Sequence, residues 1–388
     1  MSNNDTPAPA SALPFSFGGF TIPAGCRRIF ITAELEPSNH DPRIQPTGFP
    51  DIGPVLYPDP AETNGLICLI ESEASMANWL EAVCFSNKYE GVLKETFNGL
   101  PYLKAEKGGE LKTTSTLDGH RFASDFLAKC KAKFTGAEGA KEQSLAEYIK
   151  ASLGMTDGKT MPIASVPNIF PLVLGLDTMS LIHGFQVSNE QITFVGLRLP
   201  RALSASVIGL GCQRISVPGV KFNAGQLESE SGQAIFQKAR ITATKIEARF
   251  SIDVGLLTSL RLDAPGTNGT PGQHQAVRVQ LLLAIALWKV AAFLDLLSVE
   301  LSLRTECKLR LKRVIKKEKE TVDGKETEKE IEVVVAPKAV VEGGLNPTSG
   351  NFLYATIAAE SLVNSISAAL PGTDEERKAR SPRTLQFA

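Results

Sequence analysis

Between Arg27 and Glu36 the chain alternates, with Ile29, Ile31, Ala33 and Leu35 on one face, the period of a half-buried strand. Seven prolines from Pro37 to Pro60 then break any regular pattern, which predicts a long stiff loop that is neither helix nor strand. A short apolar strand, Leu66 to Ile70, follows. Ser72 or Ser75 can cap a helix that sets Met76, Trp79, Leu80 and Val83 at helical spacing. Residues 86–175 are mixed and predict helices near Leu117–Phe134 and Ser144–Leu153. Two strand-like runs, Leu181–Val187 and Gln191–Leu199, are joined by the turn Ser188-Asn189-Glu190. Residues 200–238 are rich in Gly and Ser with weak periodicity and predict an excursion from the core, whereas Ala239–Val254 alternates again as a long strand. The loop Asp263–Gly272 leads into the strongest helix, Gln275–Val299, whose apolar width implies deep burial. Glu300–Ile315 predicts a further strand, and Asp323-Gly324 is a hairpin signal ahead of Ile331–Val335. A last helix is predicted from about Phe352 to Leu370, stopped by Pro371-Gly372.

With the excursions set aside, the elements run strand, helix, strand, strand, helix, strand. The fold class is therefore α+β, and that order matches the ferredoxin-like or RNA-recognition-motif core. The domain reading is a flexible tail over 1–20 and a single domain over 21–388. That domain carries a helical insertion at 86–175, an excursion at 200–238 and a charged hairpin at 304–336.

Hydrophobic residues make up 43% of the 388 positions, enough to build a core and exclude wholesale disorder. The 32 Gly and 23 Pro show no period, which excludes collagen-like and low-complexity classes. Six dispersed cysteines (Cys26, Cys68, Cys84, Cys130, Cys212, Cys307) form no CxxC and read as free buried thiols of a reducing compartment. Met1 to Leu13 lacks the basic and apolar blocks of a signal peptide. The longest uncharged run of the apolar stretch Val277–Leu303 is Val279–Trp288, well short of the ~20 residues of a spanning helix. These features predict a soluble cytoplasmic protein.

No P-loop, GxSxG, HExxH or EF-hand pattern is present, and Gly209, Gly211 and the glycines of 266–272 give no dinucleotide fingerprint. No cofactor, metal or catalytic residue is predicted. His120 and Arg121, beside Asp118 on the predicted helix 117–134, read as structural or ligand-contacting, with a general-base role for His120 as the lesser alternative. His183 reads as a strand residue at the core edge.

Local charge is more informative than the formal net charge of −1. From Gln191 to Leu227 the chain carries Arg198, Arg201, Arg214 and Lys221 and no acid, a composition suited to following a phosphate chain. From Leu301 to Lys319 eight cations face two acids, and from Glu320 to Glu332 six acids face two lysines. Two hairpin arms of opposite sign attract across the strands and predict a self-neutralising ribbon. Arg304, Lys308 and Arg310, at its base, are better ligand candidates than Lys316–Lys319 near its tip.

Five segments carry a resemblance: Gln45-Pro-Thr-Gly-Phe-Pro-Asp-Ile-Gly53, Leu69-Ile-Glu-Ser-Glu-Ala-Ser-Met-Ala-Asn-Trp-Leu-Glu81, Gly119-His-Arg-Phe-Ala-Ser124, Ser180-Leu-Ile-His-Gly-Phe185 and Arg198-Leu-Pro-Arg-Ala-Leu-Ser204. Across about residues 25–310 the chain resembles the repeated backbone subunit of Cascade-type CRISPR surveillance complexes, in the type I-G (formerly I-U) branch of the RAMP superfamily. The resemblance implies a modified RNA-recognition fold in which 86–175 is finger-like and 200–238 thumb-like. It also implies a subunit that coats the guide RNA (crRNA) as a helical filament and does not itself cut the target. Expected partners are crRNA, the target DNA strand, further copies of the chain and other Cascade subunits, with no membrane. By resemblance, and because helix N-termini bind anions, Arg43, Gln45, Thr47, Ser72, Ser75 and Asn78 are candidate phosphate contacts. Arg27, Arg28, His120, Arg121, Arg198, Arg201, Arg214 and Lys221 complete the candidate RNA-binding set. Relatives usually carry Arg where this chain has Trp79, which therefore reads as core packing, with base stacking as the other role. The rival function is an RNA-recognition-fold endoribonuclease that processes CRISPR transcripts with His120 as base.

Overall fold

The computed structural model describes residues 15–17, 20–46, 48–49, 53–63, 65–119, 121, 124–136, 139–155, 163–187, 197–215, 240–263, 274–303, 307–322, 325–343, 348–351, 369–370 and 383–386. The predicted tail contains structure: Phe15–Phe17 pairs antiparallel with Phe20–Ile22, and Phe15, Phe17 and Ile22 are buried. The alternating run forms β1 (Cys26–Pro37) with Ile29, Ile31, Ala33 and Leu35 all buried. The proline-rich stretch is not wholly without strand. It carries β2 (Arg43–Ile44) and three other short pieces, the last of which, Leu56–Pro58, pairs with β3 (Leu66–Glu71). Two- and three-residue strands leave no alternation for a sequence pattern to display.

Helix α1 (Glu73–Ala82) starts at Ser72, whose hydroxyl accepts the Ser75 N–H at 3.3 Å. Within 86–175 the helix expected over 117–134 is only Asp125–Ala128, followed by a strand over Lys131–Gly136, whereas Leu145–Ser152 is helical behind a Ser144–Glu147 capping box. The segment is thus less helical than predicted. Its strands build a five-stranded sheet in which Leu103–Lys107 pairs in parallel with the C-terminal Arg383–Gln386. The expected strand 181–187 opens instead as a single helical turn, α2 (Ser180–His183), and only Phe185–Val187 is extended, paired with Leu197–Leu199.

The excursion expected from residue 200 begins later. β4 (Leu203–Leu210) is a full strand of the central sheet, and β5 (Gln213–Ile215) follows it. Its serines and glycine sit among buried Leu203, Ala205, Val207 and Ile208, so low hydrophobicity concealed a core strand. The rest of the predicted thumb, 216–238, lies outside the described residues. The long strand predicted over 239–254 is broken at Ala243-Thr244 into β6 (Arg240–Thr242) and β7 (Lys245–Asp253). Helix α3 (Gln275–Val299) has the predicted bounds. By length and composition it could cross a membrane, contrary to the estimate from uncharged run length, but most of it is buried inside the protein as a core helix. The single strand expected over 300–315 is Leu301–Ser302, β8 (Lys308–Leu311) and the start of β9 (Arg313–Val322). The charged hairpin pairs β9 with β10 (Lys325–Val334), and β11 (Lys338–Gly343) follows it. The helix expected over 352–370 lies outside the described residues except Ala369-Leu370.

In the nine-stranded central sheet β8, β1, β7, β4 and β3 lie side by side, every pair antiparallel. Ile29–Ile252–Leu203, Ile31–Phe250–Ala205 and Ala33–Ala248–Val207 form register rows on one buried face. Phe293 of α3 meets Phe250 edge-on at 6.0 Å and Trp79 of α1 at 6.4 Å, so both helices cover that face. Trp79 is a packing residue at the rim of this core.

One edge of β1 shows what the charged hairpin is. β8 ends with Leu311 opposite Leu35, the Lys312 N–H donates to the Glu34 carbonyl at 2.9 Å, and β11 resumes with Lys338 opposite Thr32. Lys312 and Pro337 therefore occupy consecutive register positions, opposite Glu34 and Ala33, and the inward positions Leu311, Pro337 and Ala339 keep the alternation. Residues 313–336 are spliced into what is otherwise one continuous strand. Joining Lys312 directly to Pro337 should leave a cooperatively folding protein within about 1 kcal/mol of the full chain, measured by urea unfolding, because surface insertions change stability little. Loss of cooperative unfolding would show that the hairpin is part of the core.

Candidate nucleic-acid interface

The predicted cations fall at two ends of the central sheet. Arg27 and Arg28 open β1, and Arg201 lies two residues before β4, whose Leu203 stands opposite Ile252 and, through it, Ile29. At this end Arg28 is held by Asp253 at 2.6 Å, and Arg27, Arg201 and Arg198 are exposed. About 30 Å away along β1, at its far end, the chain turns into β2, which joins β5 and β6 in a three-stranded sheet in the order β5-β6-β2. Its register puts Arg43 opposite Thr242 and Arg214 opposite Ile241, with Arg240 one turn of the alternation from Thr242.

Between this small sheet and β8 lies a cleft of about 510 Å³. Arg43, Arg240 and Lys308 line it, with Asp41, Asn39, Gln45 and Ser302 as its neutral and acidic groups. Asp41 is its one carboxylate and is already engaged: both of its oxygens accept from Arg43 Nε, at 2.8 and 2.9 Å, and Oδ2 also accepts from Nη2 at 2.5 Å. Arg43, helped by Arg240, draws the Asp41 carboxyl down to about 2, so it stays ionised and fixes the fork of Arg43. Cys307 Sγ donates to the Gln45 carbonyl at 3.0 Å, which ties the loop to the strand carrying Lys308. The cleft thus gathers cations from three distant parts of the chain, with one carboxylate among them. Lys308 was legible as a cation at the base of the hairpin. Arg240 was missed because it sits at the C-terminal boundary of the supposed excursion, and only strand pairing brings it beside Arg43.

The helix start is less open than predicted. Ser72 is half-buried with its hydroxyl engaged in the cap, and Ser75 is buried, so a phosphate cannot reach its side chain. Asn78 is exposed on α1, as is the acid Glu73 in the first turn. Arg121 is corrected more sharply. It is buried at positive φ, ion-paired with Glu81 of α1, donates from Nη1 to the Ser115 carbonyl at 3.0 Å, and lies 4.0 Å from Asp177. A guanidinium so enclosed cannot serve RNA at the surface. His183, on α2 and not on a strand, shares a 2.7 Å hydrogen bond through Nε2 with Lys289 of α3, and its Nδ1 stands 3.8 Å from Glu81. Burial, reinforced by Lys289 and Arg121, pushes its pKa well below 6.5, and burial lowers that of Lys289 as well. This cluster braces α1, α2 and α3 from within. Arg310 is engaged by Glu36 at 3.0 Å. Thr47, His120, Lys221 and Arg304 lie outside the described residues.

The outer face of the central sheet holds a cluster that the sequence did not display. Glu34 and Glu247 stand directly opposite each other on β1 and β7, an unfavourable pairing that Lys245 bridges at 3.2 and 2.7 Å, with Lys312 and Arg249 flanking. These cations hold both carboxyls below their ordinary value of 4.5: Lys312 leads for Glu34, while for Glu247 Lys245 and Arg249 outweigh a larger opposing effect of burial. Acid should therefore destabilise the protein in two stages. His183 is neutral when folded and takes a proton when unfolded, so stability falls as pH drops below about 6.5. The paired carboxylates contribute fully above about 4.5, and that contribution is lost as pH falls through their lowered folded values. Urea unfolding from pH 8 to 3 should show both stages, and His183→Gln should remove only the first; an unchanged profile would contradict the assignment.

The sequence profile of the family described as CRISPR-associated protein GSU0053 (Cas_GSU0053) matches residues 29–214, from β1 through β5. No curated protein matches the chain. The profile covers Arg43 of the cleft and stops before Arg240 and Lys308. That match, which takes in β1, β3 and β4 of the central sheet, supports a CRISPR-associated protein.

Proposed function

We propose that the chain is a non-catalytic, crRNA-binding backbone subunit of a CRISPR surveillance complex, of the type I-G branch, that oligomerises along the guide and supports target pairing. The observation that carries this reading is the cationic cleft of Arg43, Arg240 and Lys308, where the one lining carboxylate serves to fix an arginine. Such a site suits a phosphate chain and carries no sequence information, as a subunit that must accept any guide requires. The order β8-β1-β7-β4, with α1 between β1 and β4 and α3 between β7 and β8, supports a modified RNA-recognition-motif core. Of the 200–238 excursion, 216–238 remains the proposed thumb, and 86–175 the proposed finger. Assembly in the cytoplasm with target DNA, sister copies and other Cascade subunits belongs to the same proposal. Incubation of purified protein with labelled repeat RNA tests it: protection without cleavage is the expected result, and a defined cut would favour the endoribonuclease reading.

A further inference from the structure

The spliced hairpin has a second property besides its dispensability to the core. In β9 the four cations Arg313, Lys316, Lys317 and Lys319 stand with two acids, Glu318 and Glu320. In β10 the four acids Glu326, Glu328, Glu330 and Glu332 stand with two cations, Lys325 and Lys329. Within the ribbon these charges meet across the strands, Arg313 to Glu332 at 2.8 Å and Lys317 to Glu328 at 3.2 Å. Over 313–334 six cations balance seven acids, so a polyanion laid along the ribbon would meet as much repulsion as attraction. Sorting by strand still gives the ribbon one basic and one acidic outer edge. Among the described residues neither edge carries a third strand. Ten residues per strand extend the ribbon about 30 Å, and Ile315 near its base is 70% exposed. Arg313 also donates to the Ser298 carbonyl at 3.1 Å, which anchors the arm to the last turn of α3.

We propose that the ribbon is a self-association arm: the basic edge of one copy pairs with the acidic edge of the next. Strands of alternating sign then run side by side, and each inner strand gains a second neighbour of opposite charge. Because the two edges differ, the contact is head-to-tail and leaves a free edge at either end, so it propagates instead of closing. The inference rests on the proposed repeated-subunit reading and supplies a contact between copies that needs no RNA.

The test uses the full chain without RNA in analytical ultracentrifugation, with fluorescence binding of a short single-stranded RNA measured in parallel. Wild type should associate with rising concentration, less so at high salt. K317E/K319E alone and E328K/E330K alone should each weaken association about tenfold or more. An equimolar mixture of the two should recover it, because the acidic edges of one meet the basic edges of the other. The mixture excludes mere misfolding of either variant. The chain lacking 313–336 should stay monomeric and bind the short RNA as wild type does. A monomeric wild type, a mixture that does not recover, or a deletion variant that associates normally would overturn the arm. Failure of wild type to bind the short RNA would overturn the RNA-binding reading and leave the arm to its own result.

Discussion

Replacing Glu81 with glutamine should lower the folding free energy by about 3–5 kcal/mol, because it strands a buried guanidinium. Glu81 is the close partner of Arg121, and both side chains are almost fully enclosed. Asp177, the next carboxylate, stands 4.0 Å from Arg121 and already accepts the Ser180 hydroxyl at 2.6 Å and the Met179 N–H at 3.0 Å. It cannot replace Glu81 without giving up those bonds. The lost anion also leaves Lys289 and His183 in a site of more positive potential, since Arg121 already disfavours charge on both. Glu81→Leu combined with Arg121→Met should recover most of the loss, because an apolar pair of similar volume removes both buried charges together. Urea unfolding of the single and double variants decides it. A loss under about 1 kcal/mol in the single variant would show that Arg121 is hydrated in the folded protein.

How much of this was legible in the sequence depended on the range of the interaction involved. β1, α1 and α3 were readable because each repeats its own period over enough residues to expose a face, and β3 because it is a short, continuous apolar run. β4 was hidden since serine and glycine replace apolar residues at several positions and its burial comes from β7 and β3 on either side. The expected helix over 117–134 failed for a similar reason: the strand over Lys131–Gly136 is held by its partner Gly139–Ser144 and by a distant C-terminal strand. The site followed the same division. Arg43 was named because its loop resembles the family's, but its companions Arg240 and Lys308 come from elements some 200 residues and more away and meet it only through sheet pairing. Arg121 and Ser75 were named from composition and helix position, which do not report burial. The splice of the hairpin between Lys312 and Pro337 is a matter of register alone, which no composition shows.

Neutralising the cleft should have the largest effect on RNA binding. Arg43→Ala, Arg240→Ala and Lys308→Ala together are expected to weaken single-stranded RNA binding about 10- to 100-fold and to reduce the salt slope by about 2, from three lost cations at about 0.7 each. The corresponding triple variant at the other end of the sheet, Arg27, Arg28 and Arg201 to Ala, should lose less, because none of these three lines the cleft. Both sets of cations are exposed enough that melting temperature should hold within a few degrees. Equal losses from the two triple variants would mean that RNA runs the whole length of the sheet. A larger loss from the Arg27 set would move the interface away from the cleft.

The central claim is that copies of this chain coat a guide RNA through backbone contacts. It is tested most directly by purifying the full-length protein from cells that carry its CRISPR array, digesting with ribonuclease and sequencing what remains. The expected result is an ultraviolet spectrum rich in nucleic acid and protected fragments of guide sequence, of a length set by an integral number of subunits. The same preparation made with the cleft triple variant should hold little RNA. A wild-type protein that purifies free of RNA, or whose RNA is digested completely, would contradict the account.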